Sequence, residues 1–307
     1  MQPMKLVPAF KDYLWGGDRL KTEYKMKSNL PKIAEAWVLS CHPDGESVVE
    51  NGEFCGKTLR EAIDALGDEA LGLKAKEFPF FPILIKLIDA KQKLSIQVHP
   101  SDEYALKNEN QFGKTEMWYV VDCDEGASLY YGFSREISKD EFAKRIEDGT
   151  LTDVLNEVPV HKGDCFFIDS GTIHAIGEGI LIAEIQQNSN CTYRVYDYGR
   201  VGADGKPREL HIEKALAVTD TCPPSVPFGK PQSDRLASCK YFTVDRHVIA
   251  GEEKLFVGED SFSSVFCTQG EVEVDGIKLR AGECAFIPAY YGELKVCGNG
   301  EFLESRV

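Results

Sequence analysis

The run "LSIQVHP" places an amide and an imidazole, Gln97 and His99, two positions apart in an apolar stretch. An imidazole can bind a metal ion or transfer a proton, and an amide can bind a polar ligand. Successive side chains of a strand point to opposite faces, so Ser95, Gln97 and His99 share one face and their apolar neighbours share the other. The stretch therefore predicts a strand with one face in a core and the other at a functional site.

Short runs of alternating or β-branched residues, bounded by Gly, Asp and Pro, dominate the chain and predict a mainly β protein. Helices are few. We expect one after the capping box of Thr58 and Glu61, one after that of Ser138 and Glu141, and a third in "HIEKALAVT".

A proline-rich stretch divides the chain. Residues 222–234 hold four prolines and no apolar periodicity, which is typical of a connection. We therefore expect a large domain at residues 1–221, with helical insertions near 57–75 and 134–158, and a C-terminal module at residues 235–307.

The composition is that of an acidic globular protein of 307 residues, with 43% hydrophobic and 28% charged residues. The formal net charge of −15 and the lack of a Lys/Arg cluster argue against nucleic-acid binding, because phosphate contacts need a basic surface. The sequence has no basic start followed by an apolar signal segment, and no run of about 18 apolar residues. We expect a cytoplasmic protein without a membrane partner.

Ten cysteines are spread along the chain without a C-x-x-C pair. Most stand in apolar runs such as "GDCFFI" and "GECAFI". They predict reduced thiols in the core rather than disulfides or zinc ligands.

A faint internal repeat links the two parts of the chain. "GDCFFIDSGTIH", residues 163–174, aligns without gaps with "GECAFIPAYYGE", residues 282–293, and each follows a strand pair closed by a turn. The unit is a small antiparallel barrel used twice. The first copy ends in His174 and the second in Glu293. No counterpart of Gln97 and His99 precedes the second copy. We expect the site in the first copy and a structural second copy without metal ligands.

The pattern G-D-x-x-x-I-x-x-G-x-x-H resembles the second motif of the cupin superfamily, whose histidine faces the barrel interior and binds a metal. The resemblance implies a mainly β double cupin, with two jelly-roll-like antiparallel barrels and a few helices around the first. The polar residues expected inside the first barrel are Gln97, His99, Glu116 and His174. Two imidazoles, a carboxylate and an amide oxygen suit one zinc or related divalent ion, whereas an unpaired polar group there would cost several kcal/mol.

Longer motifs resemble the type I mannose-6-phosphate isomerase family in its short bacterial form. They are "LWGGDRL", "AEAWVLS", "LSIQVHPSDEYA", "GKTEMWYV", "GTIHAIGEGILIAEIQQNSNCTYRVYDYGR" and "HIEKAL". The resemblance runs from about Leu14 to about Leu216 and continues weakly through the C-terminal module. It implies a zinc-dependent aldose–ketose isomerase that interconverts mannose 6-phosphate and fructose 6-phosphate through an enediol. The partner is then a small phosphosugar, and we expect a monomer or a weak homodimer.

The resemblance also implies roles for individual residues. The family's metal ligands fall on Gln97, His99, Glu116 and His174. Its catalytic arginine falls on Arg194 and its active-site carboxylate on Glu184. Ser95 and Lys114 occupy positions near the sugar phosphate, and Arg200 is a further candidate for the anionic end of the substrate. Glu184, His99 or a hydroxide on the metal would each suffice as the base, and we favour Glu184.

Two positions depart from the family pattern. Val38 in "EAWVLS" replaces a usual glutamate, and Asn190 in "NSNCTYR" replaces the aspartate of a Ser-Asp pair. Both bear on substrate preference more than on catalysis.

Two rival interpretations remain at this stage. An iron-dependent cupin oxygenase would need only His99, His174 and Glu116. A non-catalytic regulator that binds a sugar phosphate would keep the barrel and bind its ligand without turnover.

Overall fold

The structure, a computed structural model, describes residues 2–202, 205–226 and 228–307. The strands are β1 (Met4–Val7), β2 (Ala9–Lys11), β3 (Glu35–Leu39), β4 (Cys41–His42), β5 (Gly45–Glu46), β6 (Val48–Val49), β7 (Ile83–Ala90), β8 (Ile96–Val98), β9 (Glu116–Cys123), β10 (Ser128–Phe133), β11 (Leu155–Pro159), β12 (Cys165–Ile168), β13 (His174–Ala175), β14 (Ile180–Gln187), β15 (Tyr193–Tyr196), β16 (Arg235–Ser238), β17 (Thr243–Val257), β18 (Ser263–Val274), β19 (Ile277–Arg280), β20 (Cys284–Ile287) and β21 (Gly292–Arg306). The α-helices are α1 (Arg19–Thr22), α2 (Leu59–Leu66), α3 (Asp102–Asn108), α4 (Lys139–Glu147) and α5 (Ile212–Val218). Three 3₁₀ helices cover Asp68–Leu71, Lys74–Glu77 and Leu151–Val154. The mainly β prediction is confirmed.

Two large antiparallel sheets, beside the short pair β4-β5, build most of the first part of the chain. One has six strands in the order β12-β9-β14-β7-β3-β2, and the other has five in the order β11-β10-β13-β8-β15. One apolar cluster, which includes Trp118, Ile182 and Tyr131, joins residues of both sheets. The core of this part therefore lies between the two sheets.

The six-stranded sheet is covered on both faces. Every residue of β7 and β14 is buried. On the face away from the five-stranded sheet, Leu87 and Ala183 join a second cluster with Leu59 of α2 and with Phe242 and Phe286 of the C-terminal module. Because side chains alternate along a strand, the other face of the same strands points toward the five-stranded sheet.

The eight-stranded sheet contains the C-terminal module, in the order β16-β17-β21-β18-β20-β1-β6 with β19 paired to β18. Its strand β1 comes from the start of the chain, with Met4 opposite Phe286 and Leu6 opposite Cys284. The sequence interpretation placed residues 1–221 in one domain, whereas β1 and β6 belong to the sheet of the module. Met4 and Leu6 are both buried in the cluster that joins the two parts of the chain, and that burial favours the pairing.

The internal repeat has a structural counterpart. Its two copies supply β12 and β20, and each strand follows a glycine with a left-handed backbone, Gly163 at φ 88° and Gly282 at φ 89°. Both turns need glycine because a side chain disfavours this conformation. Glu293, the counterpart of His174, is exposed and pairs with Lys254 at 2.8 Å, so it points away from the interior.

All three predicted helices form. The capping box of α2 is complete, because the Thr58 side chain accepts from the backbone N–H of Glu61 and the Glu61 side chain accepts from that of Thr58. The sequence interpretation missed α3, although Ser101 at its N-cap and two acidic residues in its first turn are typical of a helix start.

Replacing Thr58 with alanine is expected to lower the free energy of unfolding by about 1 kcal/mol, because the cap satisfies a helix N–H that would otherwise lose its partner. Denaturant unfolding measures this loss. Ser101→Ala is the matched control, since Ser101 makes no side-chain cap bond and should cost less than half as much. Equal losses in the two variants would contradict the role of the box.

All ten cysteines are free, as predicted. Five of them are buried, but Cys55 and Cys222 are exposed, so the expectation of core thiols is wrong at those two positions. Cys55 lies in the turn-rich connection after β6 and Cys222 opens the proline-rich stretch, and neither segment offers a core. No helix in the described part of the chain has the length and apolar character needed to cross a membrane.

Candidate metal centre and polar cavity

Three of the predicted metal ligands meet between the two sheets. His99 follows β8 and His174 opens β13 on the five-stranded sheet, while Glu116 opens β9 on the opposite sheet. Nε2 of His99 lies 3.5 Å from Oε2 of Glu116, and Nε2 of His174 lies 3.5 Å from Oε1. The three ligand atoms lie within 4.8 Å of one another, and all three residues are buried. The two carboxylate oxygens and two imidazole nitrogens therefore converge on one point.

Backbone carbonyls orient both histidines. Nδ1 of His99 lies 3.0 Å from the carbonyl oxygen of Cys191, and Nδ1 of His174 lies 2.8 Å from that of Thr172. A proton on each Nδ1 donates to that carbonyl and leaves the Nε2 lone pair toward the cluster. Burial lowers the pKa of His174 to about 4 and that of His99 well below its usual value, so both rings are neutral near pH 7. Neutral imidazoles are the form that binds metals.

The buried carboxylate of Glu116 is the strongest indication of a cation site. Among the described residues, neither of its buried oxygens has a hydrogen-bond partner of good geometry, although Nζ of Lys114 lies 2.6 Å from Oε2. Burial, and then the charge of Glu184, raise its pKa. Two neutral imidazoles and this carboxylate form a donor set that fits zinc.

Gln97 completes the predicted set only in part. It lies directly opposite His174 across β8 and β13, and its Nε2 is 3.4 Å from Nε2 of the histidine. A half-turn of the amide would direct Oε1 to the cluster instead. Ser95 Oγ donates to the present Oε1 at 3.5 Å. Gln97 therefore stays a predicted ligand.

A row of side chains beside the cluster crosses the six-stranded sheet. Trp37, Lys86, Glu184 and Trp118 are successive cross-strand partners on β3, β7, β14 and β9. Nζ of Lys86 lies 2.9 Å from Oε1 of Glu184, and the indole N–H of Trp118 donates to Oε2 at 2.9 Å. Nζ of Lys114 approaches Oε1 at 3.6 Å. Glu184 is thus held by two ammonium groups and an indole.

These contacts decide the ionisation of Glu184. Burial alone would raise its pKa, but Lys114 and Lys86 outweigh burial and lower it well below its usual value. Burial opposes the charge of Lys86 too, yet Glu184 and Glu35 raise its pKa. Both groups are charged near pH 7. The contacts therefore hold Glu184 as a carboxylate, and its role as the base stays a prediction.

A cavity of about 240 Å³ opens beside this row. Its lining contains Ser95, Gln97, Lys114, Glu184 and Arg194 from the predicted set. The lining also includes residues that sequence reasoning missed, namely Tyr13, Trp15, Glu35, Lys86 and Arg208. Lys86 had a signal, because a charge in the middle of the apolar run "ILIKLID" needs a buried partner.

The structure places Arg200 behind the cavity wall rather than on it. Its guanidinium bonds to Asp197 and to the carbonyl oxygen of Lys93. Asp197 also accepts from Arg208, at 2.7 Å from Nε and 2.6 Å from Nη2, and Arg208 does line the cavity. Arg200 therefore stays a predicted substrate contact, and Arg208 is added as a candidate.

Arg194 shares this basic wall. It pairs with Gln97 across β15 and β8, and its Nη1 donates to the carbonyl oxygen of Glu209 at 2.8 Å. Its buried Nε has no partner among the described residues. Burial and then Arg208 lower its pKa, yet a guanidinium keeps its charge at any pH near neutrality.

The two departures from the family pattern fall in different places. Val38 is buried within β3 and belongs to the core that faces the C-terminal module. Asn190 lines the cavity, and its Nδ2 donates to Oδ2 of Asp44 at 2.9 Å. Only the second departure can therefore act on a bound ligand directly.

Facing antiparallel sheets that enclose this His–Glu–His cluster define a cupin with a candidate metal centre. A family model described as the catalytic domain of type I phosphomannose isomerase matches residues 4–126, and one described as the mannose-6-phosphate isomerase cupin domain matches residues 233–307. The probable mannose-6-phosphate isomerase GmuF of Bacillus subtilis (strain 168) is 38% identical, over 99% of each chain. The chain belongs to the type I phosphomannose isomerase family, and it is an isomerase.

Solved structures agree with this assignment. The mannose 6-phosphate isomerase from Bacillus subtilis superposes with a TM-score of 0.90 at 34% identity and covers 100% of both chains. A mannose 6-phosphate isomerase bound with zinc and yttrium shares the fold, with a TM-score of 0.77 at 20% identity over 99% of both chains. The family and cupin fold expected from the sequence are confirmed.

Proposed function

We propose that the chain is a zinc-dependent aldose–ketose isomerase that interconverts mannose 6-phosphate and fructose 6-phosphate. A proton would move between C1 and C2 of the open-chain sugar through an enediol. The observation that carries the proposal is the buried Glu116 carboxylate, which lies between two neutral histidines beside a polar cavity. Membership of the phosphomannose isomerase family supports the substrate.

His99, Glu116 and His174 would hold the metal, with Gln97 as a fourth ligand after a turn of its amide. The single described cluster of this kind supports one zinc ion per chain. A bound zinc ion would supply a Lewis acid for the oxygens on C1 and C2.

The lysines beside the cluster suit the negative charge that develops on those oxygens. Nζ of Lys114 lies 2.6 Å from Oε2 of Glu116 and 3.2 Å from Nε2 of His99, so its charge acts where the sugar oxygens would bind. Lys86 stands on the far side of Glu184. Both ammonium groups are fixed before substrate binds, and a fixed charge in a buried site needs no reorganisation during the reaction.

The phosphate would bind at the basic wall. There, Arg194 and Arg208 line the cavity, and the carboxylate of Asp197 accepts from both Arg200 and Arg208. Near the cluster, by contrast, Lys86 and Lys114 are matched by glutamates. In a protein of net charge −15, two guanidinium groups on one wall of a cavity are where a dianion is favoured. This division exchanges the roles that the family resemblance implied for Lys114 and Arg194.

Replacing Arg194 with alanine tests that division. We expect KM for mannose 6-phosphate to rise about 10- to 100-fold, the value of one or two charge-assisted hydrogen bonds, while kcat changes by less than about fivefold. Steady-state kinetics on protein with verified zinc content measures both constants.

Arg135→Ala is the matched control, since Arg135 is exposed and pairs with Glu141 far from the cavity. It should leave both constants unchanged. A large fall in kcat with an unaltered KM in Arg194→Ala would instead support the role at the reacting carbons that the sequence resemblance implied.

The function itself is tested by metal analysis together with a coupled assay in both directions. We expect one zinc per chain, turnover of both phosphosugars, loss of turnover in a chelator and recovery with zinc. An oxygenase would bind iron and consume oxygen, and a regulator would bind the phosphosugar without turning it over. Either result would refute the proposal.

We further propose that the enzyme works in the cytoplasm, as a monomer or a weak homodimer, with a phosphosugar as its partner. The net charge of −15 disfavours nucleic acid, and ten free cysteines suit a reducing compartment.

A further inference from the structure

The backbone on both sides of Lys114 is held by side chains from elsewhere in the chain. The N–H of Gly113 donates to Oδ1 of Asp102 at 2.9 Å. The N–H of Thr115 donates to Oε1 of Gln187 at 2.8 Å. Lys114 is buried between these two anchors, so their positions set the direction in which its ammonium group enters the cavity.

Asp102 joins both anchors to the C-terminal module. Its Oδ1 also accepts from Nε2 of Gln187 at 2.9 Å, and its Oδ2 accepts from the hydroxyl of Tyr241 at 2.8 Å. Tyr241 lies in the turn between β16 and β17. One carboxylate thus connects the turn of the module with the segment that carries Lys114.

The segments of Asp102 and Gly113 are closely packed. A side chain at Gly113 would come within 2.4 Å of the backbone nitrogen of Asp102, so the two segments are in direct contact. At the other end, Nζ of Lys114 lies 2.6 Å from Glu116 and 3.2 Å from His99. Packed contacts transmit displacement because a dense interior has few voids to absorb it.

The C-terminal module lends no residue to the lining of the cavity in the described part of the chain, since every lining residue precedes position 209. Any effect of the module on the reaction must therefore pass through contacts such as this one. Tyr241 is half-buried and packs against Phe78. Its hydroxyl is thus held against Asp102 rather than free in solvent.

We propose that Asp102 is a positioning residue through which Tyr241 of the C-terminal module fixes Lys114 for the phosphosugar. The inference rests on the proposed function, because it assumes that Lys114 contacts the substrate. It assigns the C-terminal module a part in substrate binding.

Tyr241→Phe removes one hydroxyl and leaves the ring in place. We expect zinc-loaded Tyr241→Phe to bind glucitol 6-phosphate, an acyclic phosphosugar without a carbonyl that can isomerise, roughly 3- to 10-fold more weakly than the parent protein. Isothermal titration measures the dissociation constant. Tyr291→Phe is the matched control, because it removes a hydroxyl that donates to Asp275 at 2.6 Å within the module, and it should leave binding unchanged.

A double-mutant cycle with Lys114→Met separates positioning from general destabilisation. If Tyr241 acts through Lys114, Tyr241→Phe should not weaken binding further once the ammonium group is gone. An equal loss in both backgrounds, or a loss no greater than that of Tyr291→Phe, overturns the inference. Turnover of mannose 6-phosphate by the parent protein tests the proposed function separately, so the two can fail independently.

Discussion

Glu116→Gln is expected to empty the metal centre and abolish isomerase activity. The substitution keeps the shape of the side chain and removes the negative charge that lies 3.5 Å from both His99 and His174. We expect the affinity for zinc to fall more than about 100-fold, since replacing even residues behind the ligands costs 10- to 100-fold. Zinc titration and metal analysis measure the loss, and the coupled assay measures the activity.

The zinc-free form of Glu116→Gln should keep a cooperative unfolding transition like that of the zinc-free parent, because the side chain keeps its size, although Lys114 loses the carboxylate 2.6 Å from its Nζ. This comparison separates loss of metal from loss of fold. Glu293→Gln is the control in the second copy of the repeat and should change neither zinc content nor activity. Retention of one tightly bound zinc ion by Glu116→Gln would refute the site.

Lys86→Met is expected to have the largest effect on stability. It leaves Glu184 buried with one partner fewer and removes the ammonium group 3.9 Å from Glu35, which keeps its hydrogen bond from Trp37. Breaking a buried ion pair costs about 3–5 kcal/mol. Activity should fall as well, because Glu184 then keeps the ammonium group of Lys114 but loses that of Lys86. Urea unfolding of the zinc-free proteins measures the free-energy difference.

The loss in Lys86→Met should depend on pH. Lys114 and Lys86 overcome the effect of burial and lower the pKa of Glu184 to about 2, against about 4.3 in the unfolded chain. Ionised Glu184 therefore stabilises the fold above about pH 4.3, and this contribution is lost as the pH falls toward 2. The difference between parent and variant should be full at pH 6 to 8 and should shrink below about pH 4.

Lys254→Met is the control for the lysine substitution, since Lys254 makes an exposed pair with Glu293. It should change the unfolding free energy by less than about 1 kcal/mol at every pH. A loss in Lys86→Met that does not change between pH 7 and pH 3 would show that packing, rather than the ion pair, accounts for it.

Local sequence determined much of the candidate site. The two-residue period of a strand placed Ser95 and Gln97 in the cavity wall and directed His99 to the cluster, because side-chain direction along a strand follows from backbone geometry alone. The helix starts could also be predicted from local sequence, because a cap is a contact between residues three apart. Family resemblance added Glu116 and His174, which the structure brings within reach of His99.

Tertiary structure alone decided which distant segments meet. The pairing of β1 with β20 joins the two ends of the chain, and it depends on a shared core rather than on any local pattern. The place of Arg208 in the cavity wall depends on how the loop after β15 returns to Asp197. The contact of Tyr241 with Asp102 likewise exists only once the eight-stranded sheet has packed against the six-stranded one, because burial in the common core sets the distance between them.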